Sequence, residues 1–130
     1  MSVVIVKNKI TKEDIKTARE EHDTYIKITA DIEQKEIAIG GQLHADAEKL
    51  LVIKFNSKNK YIWGGGYSIS RKVFTTDAIL NIKPYYQNDS TEILDPEARE
   101  AFLKLAKQTL KEIESLLWAT NLRISMFLRI

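Results

Sequence analysis

No cysteine occurs in the 130 residues, which excludes disulfides, thiolate metal sites and cysteine nucleophiles. Proline is nearly absent, at two residues, and glycine is limited to five. Neither a proline-rich linker nor a low-complexity flexible segment therefore divides the chain. No apolar run approaches the ~18 consecutive residues of a membrane span. The opening Val3-Val4-Ile5-Val6 is too short for the core of a signal peptide, so a cytoplasmic protein with no membrane association is expected. An excess of one charge is also missing, because 20 basic against 18 acidic side chains leave +2, too little for a polyanion-binding field over the whole surface. What is present, 44% hydrophobic and 29% charged residues, is the balance of a soluble globular domain.

The periodicities predict the elements in turn. Val3 to Val6 is β-branched throughout and reads as a short strand. Thr11 with Asp14 three residues on predicts a helix start, with Ile15 and Ala18 facing inward and an end near His22 or Asp23. Ile26, Ile28, Ala30 and Ile32 alternate with Tyr25, Lys27, Thr29, Asp31 and Glu33, the pattern of a strand with one buried face. Gln34-Lys35 connects it to Glu36–Ile39 as a hairpin, which Gly40-Gly41 end. Leu43 to Phe55 favours a helix with Leu43, Ala47, Leu50 and Leu51 as its apolar stripe. Tyr61 to Ile69 reads as a strand interrupted by Gly64-Gly65-Gly66, and Ala78 to Lys83 as another, stopped by Pro84. Asp95 and Pro96 open the last helix, whose stripe of Ala98, Phe102, Leu105, Thr109, Ile113 and Leu116 runs to about Ala119.

The order β-α-β-β-α-β-β-α predicts an α+β fold of two layers, a mostly antiparallel sheet of four to five strands with helices on one face. Residues 1–121 make one domain. The apolar tail 122–130, with Leu122, Ile124, Met126, Phe127, Leu128 and Ile130, either packs back on it or buries against a second copy, so self-association is expected.

Gly40-Gly41-Gln42-Leu43-His44-Ala45-Asp46-Ala47-Glu48 resembles the central motif of a family of small uncharacterised prokaryotic proteins, a domain of unknown function. Asp31-Ile32-Glu33, Trp63-Gly64, Asn81-Ile82-Lys83-Pro84 and Asp95-Pro96 with Arg99 extend the resemblance in the same order, over roughly residues 3 to 115. It implies a compact α+β domain and no particular reaction. That family has Arg where Lys83 stands, which turns a bidentate anion contact into a single point contact.

Four groups of residues carry candidate chemistry. On a helix, His44 and Glu48 share one face. With Asp31 they make a divalent-metal set, to which Glu33 adds a further oxygen, suited to Mg²⁺, Mn²⁺ or Zn²⁺. In the catalytic version, His44, Asp46 and Glu48 form a metal-assisted hydrolase, with Asp46 or Glu48 as base to a metal-activated water. No other cofactor is indicated. The competing account is structural: acidic groups in a first turn complement the helix dipole, and the histidine bonds a neighbouring loop. Gly64-Gly65-Gly66 reads as a bulged or bent strand before a phosphate cradle, because it lacks the Lys-Ser or Lys-Thr of a P-loop.

The segment 49–76 holds six basic side chains and no acidic one, so it carries +6 and the rest −4, from 14 basic and 18 acidic groups. Lys58, Lys60, Trp63, Arg71 and Lys72 are the candidates there for a single-stranded nucleic-acid surface; a hairpin with core aromatics and a solvated basic edge is the competing account. Asn81, Lys83 and Arg99 are the candidates for an anion pocket, against a capping and turn network around Asp95.

Overall fold

The computed structural model describes residues 2–119, so the tail 122–130 and the expected domain end at 121 lie outside the described residues. Strands β1 (Val3–Ile5), β2 (Tyr25–Asp31), β3 (Glu36–Gly40), β4 (Ile62–Ser68) and β5 (Val73–Thr75) form one sheet in the order β1-β3-β2-β4-β5. Every neighbouring pair is antiparallel. Helices α1 (Lys12–Ala18), α2 (His44–Phe55) and α3 (Pro96–Thr109), with a helical stretch at 113–119, complete an α+β fold.

Local chemistry sets several boundaries. Thr11 Oγ1 accepts from Asp14 N at 3.1 Å and Asp14 Oδ2 accepts from Thr11 N at 3.0 Å, the reciprocal box that starts α1. Asp95 Oδ1 accepts from Glu97 N at 3.1 Å and Pro96 follows it, so α3 begins where the sequence predicts. Asp31 turns the β2–β3 hairpin, its Oδ1 accepting from Glu33 N and Gln34 N, each at 3.0 Å.

The two faces of the sheet are both covered. Ile26, Ile28 and Ala30 of β2 join Ile37, Ile39, Trp63 and Tyr67 in a core with Ile15 of α1, Phe102 of α3 and Ile113. Ala38 and Ile62, on the other face, pack on Ala47 and Leu51 of α2. The helices thus flank the sheet from both sides, where the alternation predicted one. Thr29 and Asp31 on β2's polar side are 0% and 1% exposed. Period two identifies which residues share a face, not whether that face is wet.

Two further expectations are corrected. Ala78 to Lys83 is not a strand: Ile79–Asn81 is a single 3₁₀ turn, and the remaining strand is the short β5. The last helix is broken after Thr109, and the buried residues along it are Ala98, Phe102, Ala106, Leu110, Ile113 and Leu117, while Leu105, Thr109 and Leu116 are half-buried.

β4 passes through Gly64-Gly65-Gly66 without a bulge, in unbroken register from Tyr25↔Ser68 to Asp31↔Ile62. These glycines are needed for close approach. A Cβ on Gly64 would lie 2.8 Å from Ala78 Cβ and 3.0 Å from the His44 ring, and one on Gly65 would lie 2.9 Å from the Phe102 ring. One on Gly66 would overlap the Tyr25 ring.

β5 pairs only with Gly66–Ser68, which leaves the first half of β4 without a strand partner on that side. The carboxamide of Asn81 fills the gap: its Oδ1 accepts from Gly64 N at 2.8 Å and its Nδ2 donates to Gly64 O at 2.9 Å. Asn81 Nδ2 also reaches the carbonyls of Thr76 and Thr91. A second buried amide, Asn88, donates to the carbonyls of Asn81 and Glu92, each at 2.8 Å, and accepts from Leu94 N at 2.8 Å. Together they stitch residues 76–94 to the sheet. Asn81→Ala would leave both polar groups of the Gly64 peptide buried and unpaired. It is expected to lower unfolding free energy by about 2–4 kcal/mol in urea denaturation, whereas Arg99→Ala on the exposed side of α3 changes it by less than about 0.5 kcal/mol.

Candidate functional site

The segment that Asn81 holds in place forms one wall of a cleft of about 530 Å³, and the N-terminal turn of α2 forms the other. His44, Leu43, Lys27, Asp77, Ile79 and Leu80 line it. Lys27 rises from β2 on the face that α2 covers, and Asp77 follows β5. His44 is set by the turn at Gly40-Gly41, which opens α2 directly above Gly64.

His44 Nε2 lies 2.8 Å from the carbonyl oxygen of Gly65. A carbonyl only accepts, so Nε2 carries the hydrogen and Nδ1 is the unprotonated nitrogen of the neutral ring. Nδ1 has no bond to any described residue. Burial is the largest influence on this ring and holds its pKa below the ordinary imidazole value. The Gly65 bond works against burial, Lys27 adds to it, and Asp77 opposes it.

Lys27 is also pushed below its ordinary value by burial. Its Nζ donates to His22 Nε2 at 2.9 Å and lies 5.9 Å from the centre of the Tyr25 ring. Both histidines of the chain therefore bear on this one lysine. Among the described residues the ion pair within 4.0 Å is Lys72–Glu114, at 3.7 Å, so Lys27 and Asp77 share a cleft without pairing to each other.

The predicted metal and catalytic sets are not assembled. Asp31 is sealed beneath α2, where it accepts from Ser57 Oγ and Gln34 Nε2 as well as the hairpin amides. Glu48 accepts from Asn59 Nδ2 at 2.7 Å, and Asp46 accepts from Leu43 N at 3.3 Å. Glu33 is exposed in the hairpin turn. Among the described residues no three His, Asp or Glu side chains are grouped to hold a metal ion. Of the motif's three titratable side chains, His44, Asp46 and Glu48, His44 alone lines the cleft.

The anion trio is likewise divided. Asn81 is 0% exposed and its amide is committed to backbone groups. Lys83 is buried, its Nζ donating to Leu80 O at 3.2 Å and standing 5.3 Å from the centre of the Trp63 ring; burial lowers its pKa and Glu48 works against that. Arg99 is exposed on α3. For the nucleic-acid set, Trp63 is 5% exposed and packs in the core, so it offers no stacking face. Lys58 and Lys60 precede β4 while Arg71 and Lys72 follow it, at opposite ends of a seven-residue strand, about 20 Å apart.

Sequence reasoning missed Lys27 and Asp77 as site residues. Lys27 carried a signal, its place on the polar side of β2 between Tyr25 and Thr29. Asp77 carried none, because only the folding of 76–94 across β4 brings it near α2.

The fold and this cleft define a small α+β domain with a largely apolar pocket at a helix start. Residues 4–109 match the family described as "Protein of unknown function (DUF5674)", and the chain belongs to that family. No curated protein and no solved structure matches the chain. No helix among the described residues is long and apolar enough to cross a membrane.

The His44 environment has a consequence for stability. The unfolded chain, with an imidazole pKa of about 6.5, binds a proton more readily than the folded one. Unfolding free energy therefore falls as pH drops through about 6.5 and the loss is complete below the folded pKa. Chemical denaturation of the wild type between pH 7.5 and 5 is expected to show a steeper decline than His44→Gln, which keeps a donor for Gly65 and removes the titration.

Proposed function

We propose that the cleft beside His44 binds a small molecule and that His44 serves there as a neutral hydrogen-bond acceptor and general base. The observation that carries this reading is the imidazole itself. One nitrogen is fixed by the Gly65 carbonyl at 2.8 Å, and the other has no partner among the described residues, on the wall of a largely apolar cavity. A base must be unprotonated at working pH, and the lowered pKa of His44 keeps it so near neutrality. The volume falls within the ~300–1,000 Å³ of small-molecule sites. A second support is the exposure of Leu43 and Ile79, 59% and 80%, which leaves two large apolar side chains largely open among the described residues that line the cleft.

The reading is tested by a fragment screen followed by amide NMR. Fragments bearing a hydrogen-bond donor are expected to perturb residues 43–45 and 77–80, and His44→Gln is expected to weaken them by at least about tenfold, or 1.4 kcal/mol. Hits that map elsewhere, or that bind the variant equally well, contradict it.

A further inference from the structure

Resting on the reading of the His44 cleft as a ligand site, we infer that its ligand is a small zwitterion with an apolar body, of the α-amino acid class. The cleft offers one cation, Lys27, and one carboxylate, Asp77, and the two are not an ion pair with each other. Lys27's hydrogen-bond partner is another basic residue, His22, and the Asp77 side chain has no bond to any described residue. A purely anionic ligand meets Lys27 but is repelled by Asp77, and a purely cationic one meets the reverse. A molecule carrying both charges satisfies both groups, which is how opposed charges in one site confer specificity.

The remaining surroundings fit the same chemistry. Neutral His44 supplies an acceptor at Nδ1 for an ammonium hydrogen. The start of α2 already has a carboxylate, Asp46, which accepts from Leu43 N, so a ligand carboxylate is left to Lys27. The apolar walls, Leu43, Ile79 and Leu80, suit a long aliphatic or aromatic side chain in preference to a polar one.

The experiment is calorimetry and amide NMR on the full chain with L-phenylalanine and L-leucine, set against N-acetyl-L-phenylalanine, which lacks the cation, and L-phenylalanine amide, which lacks the anion. The free amino acids are expected to bind and to perturb residues 43–45 and 77–80, with each derivative at least about tenfold weaker. Asp77→Asn is expected to abolish discrimination against the acetylated form, and Lys27→Gln to abolish discrimination against the amide. Asp77 is exposed, so its variant reports on the site even if Lys27→Gln fails to fold. Absence of binding, equal binding of the derivatives, or discrimination that survives Asp77→Asn overturns the inference. If the amino acids fail while donor fragments still bind in a His44-dependent way, the ligand class alone falls; if both fail, the site reading falls with it.

Discussion

The carboxamide of Asn81, laid along the Gly64 peptide, is the contact on which the rest of this structure turns. A sheet edge inside a folded domain must find partners for its backbone groups, and β5 is too short to supply them along all of β4. One side chain replaces the missing strand, with both amide atoms used. The same amide gathers the carbonyls of Thr76 and Thr91, so the excursion between β5 and α3 is held against the sheet with little regular structure of its own. Asp77, Ala78, Ile79, Leu80 and Thr91 reach the cleft from that excursion. Fold and pocket therefore share one support.

The glycines of β4 are the complement to that support. Each removes a side chain where a neighbour needs the space: the His44 ring over Gly64, Phe102 against Gly65, the Tyr25 ring over Gly66. His44 can reach the Gly65 carbonyl because the strand beneath it is bare. A structural requirement and the candidate chemistry coincide here, since the bond that anchors the imidazole also selects which nitrogen stays free.

Much of the fold was legible in the chain because its signals are local. The Thr11–Asp14 box, the β2–β3 alternation and the Asp95-Pro96 start each depend on residues within a few positions of one another, and each is found where it was read. The rest depends on contacts distant in sequence. Asp31 looks like a solvated carboxylate until Ser57, 26 positions away, donates to it. Trp63 looks like a stacking platform until α3 covers its face of the sheet. Asn81 and Lys83 look like anion ligands until the turn that holds them is folded against β4. Within the motif, His44 and Glu48 share α2 as their spacing predicts, but Glu48 is taken by Asn59, and the groups that accompany His44 come from β2 and from the segment after β5.

The protonation pattern of the His44 ring decides whether the cleft holds a free base. Long-range ¹H–¹⁵N correlation of the histidine side chains at pH 7, with His22→Gln used to assign them, measures it directly. A neutral His44 with the hydrogen on Nε2 and an unprotonated Nδ1 is the predicted result. A His44 that is cationic at that pH would keep the Gly65 anchor but lose the free base, and one that carries its hydrogen on Nδ1 would lose both; either result removes the site.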